Sequence, residues 1–113
     1  MGYDAQKFGY VRAVGLSEDL RSEVTKVSGD HRVSIAWLLA RLVEREDFGD
    51  LVLKAHVAGR AGRGARRLDA SLPRPLTQKV AELGENLELP KERVISLGLY
   101  SLRGRVASLV AGG

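Results

Sequence analysis

Apolar residues recur at intervals of three and four along most of this chain, the spacing that places them on one face of a helix. Ser17 and Ser34 stand just before two of these runs, where a side-chain hydroxyl can cap a helix N-terminus. Pro73 and Pro90 stand before two others, where a missing backbone N–H costs little. The pattern predicts four helices, the first of them ended by Gly29, over residues 18–27, 35–46, 74–87 and 91–106.

Two short segments of alternating residues, YVRAVGL at 10–16 and RRLDASL at 66–72, each lie before a pair of these helices. Alternation is typical of a strand, because successive side chains of a strand point to opposite faces. The chain is therefore predicted to contain two similar units, each consisting of a strand followed by two helices.

The two units also match in sequence register. At an offset of 56 residues and without gaps, VGLSEDLRSEVTKV at 14–27 falls on ASLPRPLTQKVAEL at 70–83, and RVSIAWLLARLV at 32–43 falls on ELPKERVISLGL at 88–99. Apolar residues coincide at the core positions of the helices, as when Leu20 falls on Leu76. This agreement across a strand, a turn and two helices predicts an internal duplication.

One such unit cannot fold alone, because its strand has no partner and its helices leave apolar faces exposed. Two units remove both problems by pairing their strands antiparallel over four interlocked helices. We therefore predict a single domain, 1–113, mainly α-helical with a two-stranded antiparallel ribbon. Its parts are a first repeat at 8–47, a linker with a basic Gly/Arg-rich end at 48–65, and a second repeat at 66–106.

Charge is distributed unevenly between the two halves. Residues 1–56 carry 8 Lys and Arg against 9 Asp and Glu, whereas residues 57–113 carry 10 against 5. Five arginines fall between Arg60 and Arg74, which indicates either a polyanionic partner or a solvated loop. The absence of cysteine and of a long apolar run favours a soluble cytoplasmic protein without disulfides or membrane spans.

The segments RLDASLP, LTQKVAEL and LPKERVISLGL, together with VGLS, LRSEV and VSIAWLLARLV, resemble the ribbon-helix-helix family of DNA-binding proteins. This family includes the Arc and MetJ repressors and the CopG-type regulators. Members usually carry one copy per chain and dimerise, and two tandem copies in one chain are similar to the arrangement in TraY. The resemblance implies an intramolecular pseudo-dimer whose ribbon enters the major groove of DNA.

The resemblance assigns base contacts to the outward face of the ribbon. If Leu72 points into the core, strand alternation turns Leu68 and Ala70 inward as well. An outward arginine can fork onto guanine, an aspartate can accept from a cytosine amino group or orient the arginine, and a serine can bond either kind of edge. In the second strand we expect three residues to face DNA: Arg67, Asp69 and Ser71.

The first strand leaves two alternatives open. With Leu16 inward, strict alternation turns three residues toward DNA: Val11, Ala13 and Gly15. The first two could pack on thymine methyl groups, and the glycine would lie opposite Arg67. Arg12 would then point into the core, where an unpaired charge is costly. The alternative is a β-bulge that turns Arg12 outward, toward the DNA.

Phosphate contacts are assigned by the resemblance to the start of the second helix of each repeat, where free N–H groups attract anions. The candidates are Ser34 and Ile35, assisted by Arg32, in the first repeat, and Lys91 and Glu92 in the second. The end of the linker adds Arg60, Arg63 and Arg66. This arginine-rich end is either a basic arm that follows the DNA backbone or a plain solvated linker.

These features predict a sequence-specific double-stranded DNA-binding protein, acting as a transcriptional repressor or as an accessory protein at a plasmid, phage or conjugation origin. Another copy of the chain on an adjacent site is a second expected partner. The alternative function is a helical protein-interaction module, such as an antitoxin-like partner. His31 and His56 have no cysteine or acidic cluster beside them, and no catalytic constellation is visible. We therefore expect no enzymatic activity, metal, cofactor or small-molecule substrate.

Overall fold

The computed structural model describes residues 7–59 and 64–111, which are mostly helical with one two-stranded antiparallel sheet. In chain order the elements are β1 (Phe8–Leu16), α1 (Glu18–His31), α2 (Ile35–Glu44), α3 (Phe48–Val57), β2 (Arg66–Pro73), α4 (Arg74–Leu87), α5 (Lys91–Ser101) and a 3₁₀ turn (Val106–Leu109). The mainly helical class and the antiparallel ribbon predicted from the sequence are confirmed. None of these helices is long and apolar enough to cross a membrane.

The ribbon is formed by β1 and β2, which pair along their length with Arg12 opposite Asp69 near the middle. Between Ala13 and Leu16 the register shifts, because β1 has two residues where β2 has only Arg67. The extra residue makes a β-bulge. A shift of one residue exchanges the two faces of a strand, so the bulge decides which side chains of β1 point outward.

Helices α1 and α4 begin and end at positions 56 residues apart, and α2 and α5 begin at positions with the same separation. After α1 and α4 the chain takes a left-handed residue, Arg32 with φ of 55° and Glu88 with φ of 57°. The following amide donates to a carbonyl in the last turn, at 3.1 Å after α1 and 2.7 Å after α4. Helix α1 therefore continues past Gly29, where the sequence predicted its end, because the terminating residue is Arg32.

The predicted linker contains a helix that the sequence analysis did not predict. Helix α2 ends at Glu44, two residues earlier than expected, and α3 begins at Phe48. The Phe48 side chain is fully buried and lies against α5 at Gly98. A Cβ atom at Gly98 would lie 2.9 Å from the Phe48 ring, so the glycine provides the space that the ring fills.

The C-terminal segment also packs back onto the fold. Helix α5 ends at Ser101 rather than near Val106. Val106 and Leu109 are buried in the 3₁₀ turn, which lies against α1 and α2. The backbone N–H groups of Gly104 and Val106 donate to the Glu23 carboxylate at 2.8 and 3.0 Å. The first half thus covers α5 with α3, and the second half covers α1 and α2 with its last turn.

The core lies between the inner face of the ribbon and the helices. Helix α5 packs against β1 and helix α2 packs against β2, so each strand is covered by a helix of the other half. Ser17 and Ser34 cap α1 and α2 as predicted, with side-chain oxygens that accept from backbone N–H groups at 3.2 and 2.9 Å. The fully buried side chains include Leu16, Leu20, Val24, Leu38, Leu39, Leu42, Val43, Leu72, Val94, Ile95 and Leu99.

Candidate nucleic-acid interface

The outward face of β2 carries the polar residues expected from strand alternation. Arg67 and Asp69 are exposed and Ser71 is half-buried. On the opposite face Leu68 and Leu72 are buried, at 4% and 0% exposure. The side chains of β2 therefore point in the directions that the sequence predicted.

In β1 the outward residues differ from those expected under strict alternation. Val11 and Ala13 are 9% and 0% exposed and lie in the core, so the prediction that they face DNA is wrong. Tyr10 is 59% exposed and Arg12 keeps 41% of its side chain exposed, on the opposite face. The cause is the bulge, which reverses the alternation that was counted back from Leu16. The alternative in which Arg12 points outward is the one that the structure bears out.

The bulge itself is built by Val14 and Gly15. Gly15 has a φ of 73°, a backbone conformation that residues with a Cβ atom rarely adopt. It is half-buried and faces Arg67 across the ribbon, but its carbonyl bonds to α5. The Ser96 hydroxyl donates to the Val14 carbonyl at 2.6 Å, and the Tyr100 hydroxyl donates to the Gly15 carbonyl at 2.9 Å. Two hydroxyls of α5 therefore hold the bulge in place.

We expect Tyr100→Phe to destabilise the protein by about 1–3 kcal/mol, because it leaves two part-buried backbone groups without their partner. The lost hydroxyl donates to the Gly15 carbonyl and accepts from the Ser17 N–H, both at 2.9 Å. Urea denaturation followed by circular dichroism measures the change. Tyr10→Phe removes the same hydroxyl from an exposed side chain and should cost about 0.5 kcal/mol or less. Equal losses for the two variants would show that Tyr100 does not support the bulge.

The outward side chains of the two strands form one polar cluster centred on Asp69. The Tyr10 hydroxyl donates to Asp69 Oδ1 at 2.7 Å, and Arg12 Nε donates to the same oxygen at 3.3 Å. Arg67 Nε lies 3.5 Å from Asp69 Oδ2. The guanidinium of Arg12 also lies over the Tyr10 ring, 5.7 Å from its centroid. Three hydrogen-bond donors are therefore gathered around one carboxylate.

This arrangement lowers the pKa of Asp69, chiefly through the hydrogen bond from Tyr10 and also through the nearby charges of Arg67 and Arg12. The pKa of the Arg12 guanidinium is raised, mainly by Tyr10 and then by Asp69. Asp69 is therefore ionised and both arginines are charged at neutral pH. The cluster presents two positive charges, one negative charge and a phenol to whatever approaches the ribbon.

Tyr10 is the residue of this cluster that the sequence analysis did not assign. The available signal was the alternation of small or apolar residues at Gly9, Val11 and Ala13, which places Tyr10 and Arg12 together on the other face. Counting from Leu16 gave the opposite assignment because Gly15 interrupts the strand. A glycine inside a strand is itself an indication of a bulge.

The predicted phosphate contacts lie at the starts of α2 and α5. Ser34 is exposed and Ile35 is half-buried at the start of α2, and Lys91 and Glu92 are exposed at the start of α5. A groove of about 540 Å³ runs beside β1 and reaches the start of α5. Its lining includes Tyr10, Arg12, Arg74, Gln78, Lys91 and Glu92. The outward residues of β1 and the start of α5 therefore border the same groove.

Other arginines predicted to bind phosphate have different surroundings. Arg32 is the exposed left-handed residue after α1. Arg66 is exposed and paired with Glu18, with Nη2 and Oε1 2.6 Å apart. Arg60 and Arg63 lie outside the described residues. Within the described part of the chain, no three His, Asp or Glu side chains are placed to hold a metal ion together.

The candidate interface thus consists of the Tyr10, Arg12, Arg67 and Asp69 cluster on the ribbon, Ser71 beside it, and the starts of two helices. A side chain on such a surface can donate to guanine or accept from cytosine, and the free N–H groups of a helix start can bind phosphate. Comparison of the chain with protein-family models, with curated proteins and with solved structures finds no match.

Proposed function

We propose that this protein binds double-stranded DNA sequence-specifically by inserting its ribbon into the major groove. The observation that carries the proposal is the polar cluster on the outer face of a two-stranded antiparallel ribbon whose inner face is packed on helices. The major groove is about 12 Å wide and admits such a ribbon. In this role the protein is a repressor or regulator of transcription, or an accessory protein at a plasmid, phage or conjugation origin.

The proposal includes a tandem ribbon-helix-helix arrangement, in which the chain is an intramolecular pseudo-dimer. It is supported by the helix bounds that recur 56 residues apart and by the matching left-handed residues after α1 and α4. It is supported also by the ribbon register. A pseudo-twofold axis through the pair Arg12 and Asp69 exchanges the pair Tyr10 and Ser71 with the position of Arg67 opposite the bulge.

Under the same proposal, phosphates bind at the starts of α2 and α5 on the two sides of the ribbon. The groove beside β1 supports this for α5, because Arg12, Arg74 and Lys91 line it together. A DNA strand that follows this groove would meet positive charge along it. The phosphate contacts hold the duplex in register, and the ribbon contacts distinguish its sequence.

The two strands offer different groups to DNA. The outward positions of β1 are Tyr10, Arg12 and Val14, and those of β2 are Arg67, Asp69 and Ser71. A protein with these two faces is expected to prefer an imperfect palindrome. One half of the site should be more tightly specified than the other, because the polar groups that bond to base edges are distributed unequally.

Selection of bound duplexes from a random pool tests the proposal directly. Wild-type protein should enrich an imperfect palindrome, and Arg67→Ala should lose preference at one position, at a cost of about 1–3 kcal/mol, because a bidentate arginine contact is removed. Sequencing of the selected pool measures the preference, and titration of the best duplex measures the affinity. A pool that stays random with the wild-type protein would contradict the proposed function.

Joint replacement of Arg60 and Arg63 by alanine provides the contrast. These arginines are proposed to contact phosphates, so their loss should weaken binding to all duplexes alike. The slope of log affinity against log salt should become shallower by about two ions' worth. If Arg67→Ala leaves sequence preference intact and the double variant abolishes it, the arm and not the ribbon recognises the sequence.

A second candidate function, a helical protein-interaction module, is favoured by the surface of α3. Leu53 and Val57 lie one turn apart on this helix and are 44% and 77% exposed. Adjacent exposed apolar side chains are typical of protein contacts. A stoichiometric complex that forms equally well without DNA and is lost in the variant Leu53→Glu would favour this function over DNA binding.

A further inference from the structure

The acidic residue at the centre of the ribbon is unexpected on a surface proposed to bind DNA. Asp69 is the only acidic residue in either strand, and it lies opposite Arg12 near the middle of the ribbon. Its side chain is 35% exposed on the outward face. A carboxylate at this position is repelled by the phosphates that the flanking arginines attract.

The carboxylate is also fully engaged in the protein without DNA. It accepts hydrogen bonds from Tyr10 and Arg12 at 2.7 and 3.3 Å, and Arg67 lies 3.5 Å away. These contacts hold the donors that would otherwise contact any phosphate or base acceptor. Asp69 therefore restrains the same arginines whose charge promotes DNA binding.

Base edges in the major groove offer few partners to a carboxylate. An ionised carboxylate only accepts hydrogen bonds, whereas guanine N7 and O6, adenine N7 and thymine O4 are acceptors themselves. Only the amino groups of cytosine and adenine can donate to it, and cytosine is the usual partner of an acidic side chain. A duplex without an amino group at this point would face the negative charge unpaired.

We propose that Asp69 determines specificity by exclusion, penalising any duplex that does not place a cytosine amino group at the centre of the ribbon. The inference rests on the proposed function and assigns to one residue the discrimination between cognate and other DNA. On the cognate site the cytosine amino group donates to Asp69, and Arg12 and Arg67 turn to neighbouring guanine or phosphate acceptors. On other duplexes Asp69 keeps its protein partners and repels the backbone. Exclusion of wrong partners by an unpaired charge is a general route to specificity.

Asp69→Asn tests this, because the amide is the same size and removes only the charge. Affinity for a scrambled duplex should rise about tenfold or more, the effect of one central mismatch penalty. Affinity for the selected duplex should change much less, so the ratio of the two affinities should fall by a similar factor. Titration of both duplexes at several salt concentrations measures these quantities. Pool selection with the variant should show the loss of cytosine preference at the centre.

Asp50→Asn is the matched control, since it makes the same change of charge on α3, which packs against α5. Asp69→Ser, which also lacks the charge, provides a second variant should the asparagine variant not fold. An equal rise in scrambled-duplex affinity for Asp50→Asn would overturn the inference, because net charge alone would explain it. Loss of cognate binding with no rise for the scrambled duplex would overturn it too, leaving Asp69 as an attractive contact. If the wild-type protein selects no duplex, the proposed function fails and the inference with it.

Discussion

Residues 1–59 and residues 64–113, produced as separate polypeptides, are expected to be unfolded apart and to fold when mixed. Each fragment contains one strand of the ribbon, and a single strand leaves its backbone groups without partners. The helices have the same dependence, because α5 packs on β1 and α2 packs on β2. Neither fragment can therefore bury its apolar residues alone.

Specific contacts across the two halves make the dependence mutual. Ser96 and Tyr100 of the second half bond to the bulge of the first, and Phe48 of the first half fills the space over Gly98 of the second. Glu23 of the first half accepts from two backbone N–H groups of the C-terminal segment. Both fragments should lack helical circular dichroism, and an equimolar mixture should recover it. A folded, monomeric fragment 1–59 with a cooperative melt would contradict the internal duplication.

Phe48→Ala is expected to reduce the free energy of unfolding by about 3–5 kcal/mol, the usual cost of removing a fully buried phenylalanine ring. The ring has no exposed surface and lies between α3 and α5 against Gly98, where a cavity would remain. Because a domain of this size is stable by only about 5–15 kcal/mol, the variant should be close to unfolding at room temperature.

Val57→Ala on the same helix is the matched control, because Val57 is 77% exposed and its truncation removes little buried surface. Its cost should lie within about 0.5 kcal/mol of zero. Urea denaturation of both variants measures the difference. A loss for Phe48→Ala as small as that for Val57→Ala would show that α3 is not part of the stable core.

Where the apolar pattern is regular, the sequence predicts the structure well. The starts of α1, α2 and α5 agree with the caps expected at Ser17, Ser34 and Pro90. Helix α3 was missed although Phe48, Val52 and Ala55 have helical spacing and are buried. The segment was interpreted as a linker because it follows the first repeat and leads into glycines and arginines.

The face of β1 could not be predicted from the strand alone. Its alternation depends on a bulge whose carbonyls bond to Ser96 and Tyr100, more than 80 residues away in the chain. The positions of α2 at the same offset are Ala40 and Glu44, which offer no such hydroxyls. The asymmetry of the ribbon therefore originates in α5. A repeat detected by its apolar residues does not reveal it.

The pair of Arg12 and Asp69 has a consequence for how such a ribbon can arise. Under the proposed pseudo-twofold axis, two identical strands would place each central residue opposite its own copy, giving two arginines or two aspartates side by side. Like charges at directly opposed positions destabilise a sheet. An opposite-charge pair on the axis therefore requires two strands of different sequence. Joining both strands in one chain guarantees that each meets the other and never its own copy. It also makes assembly of the ribbon independent of protein concentration, which association of separate subunits is not.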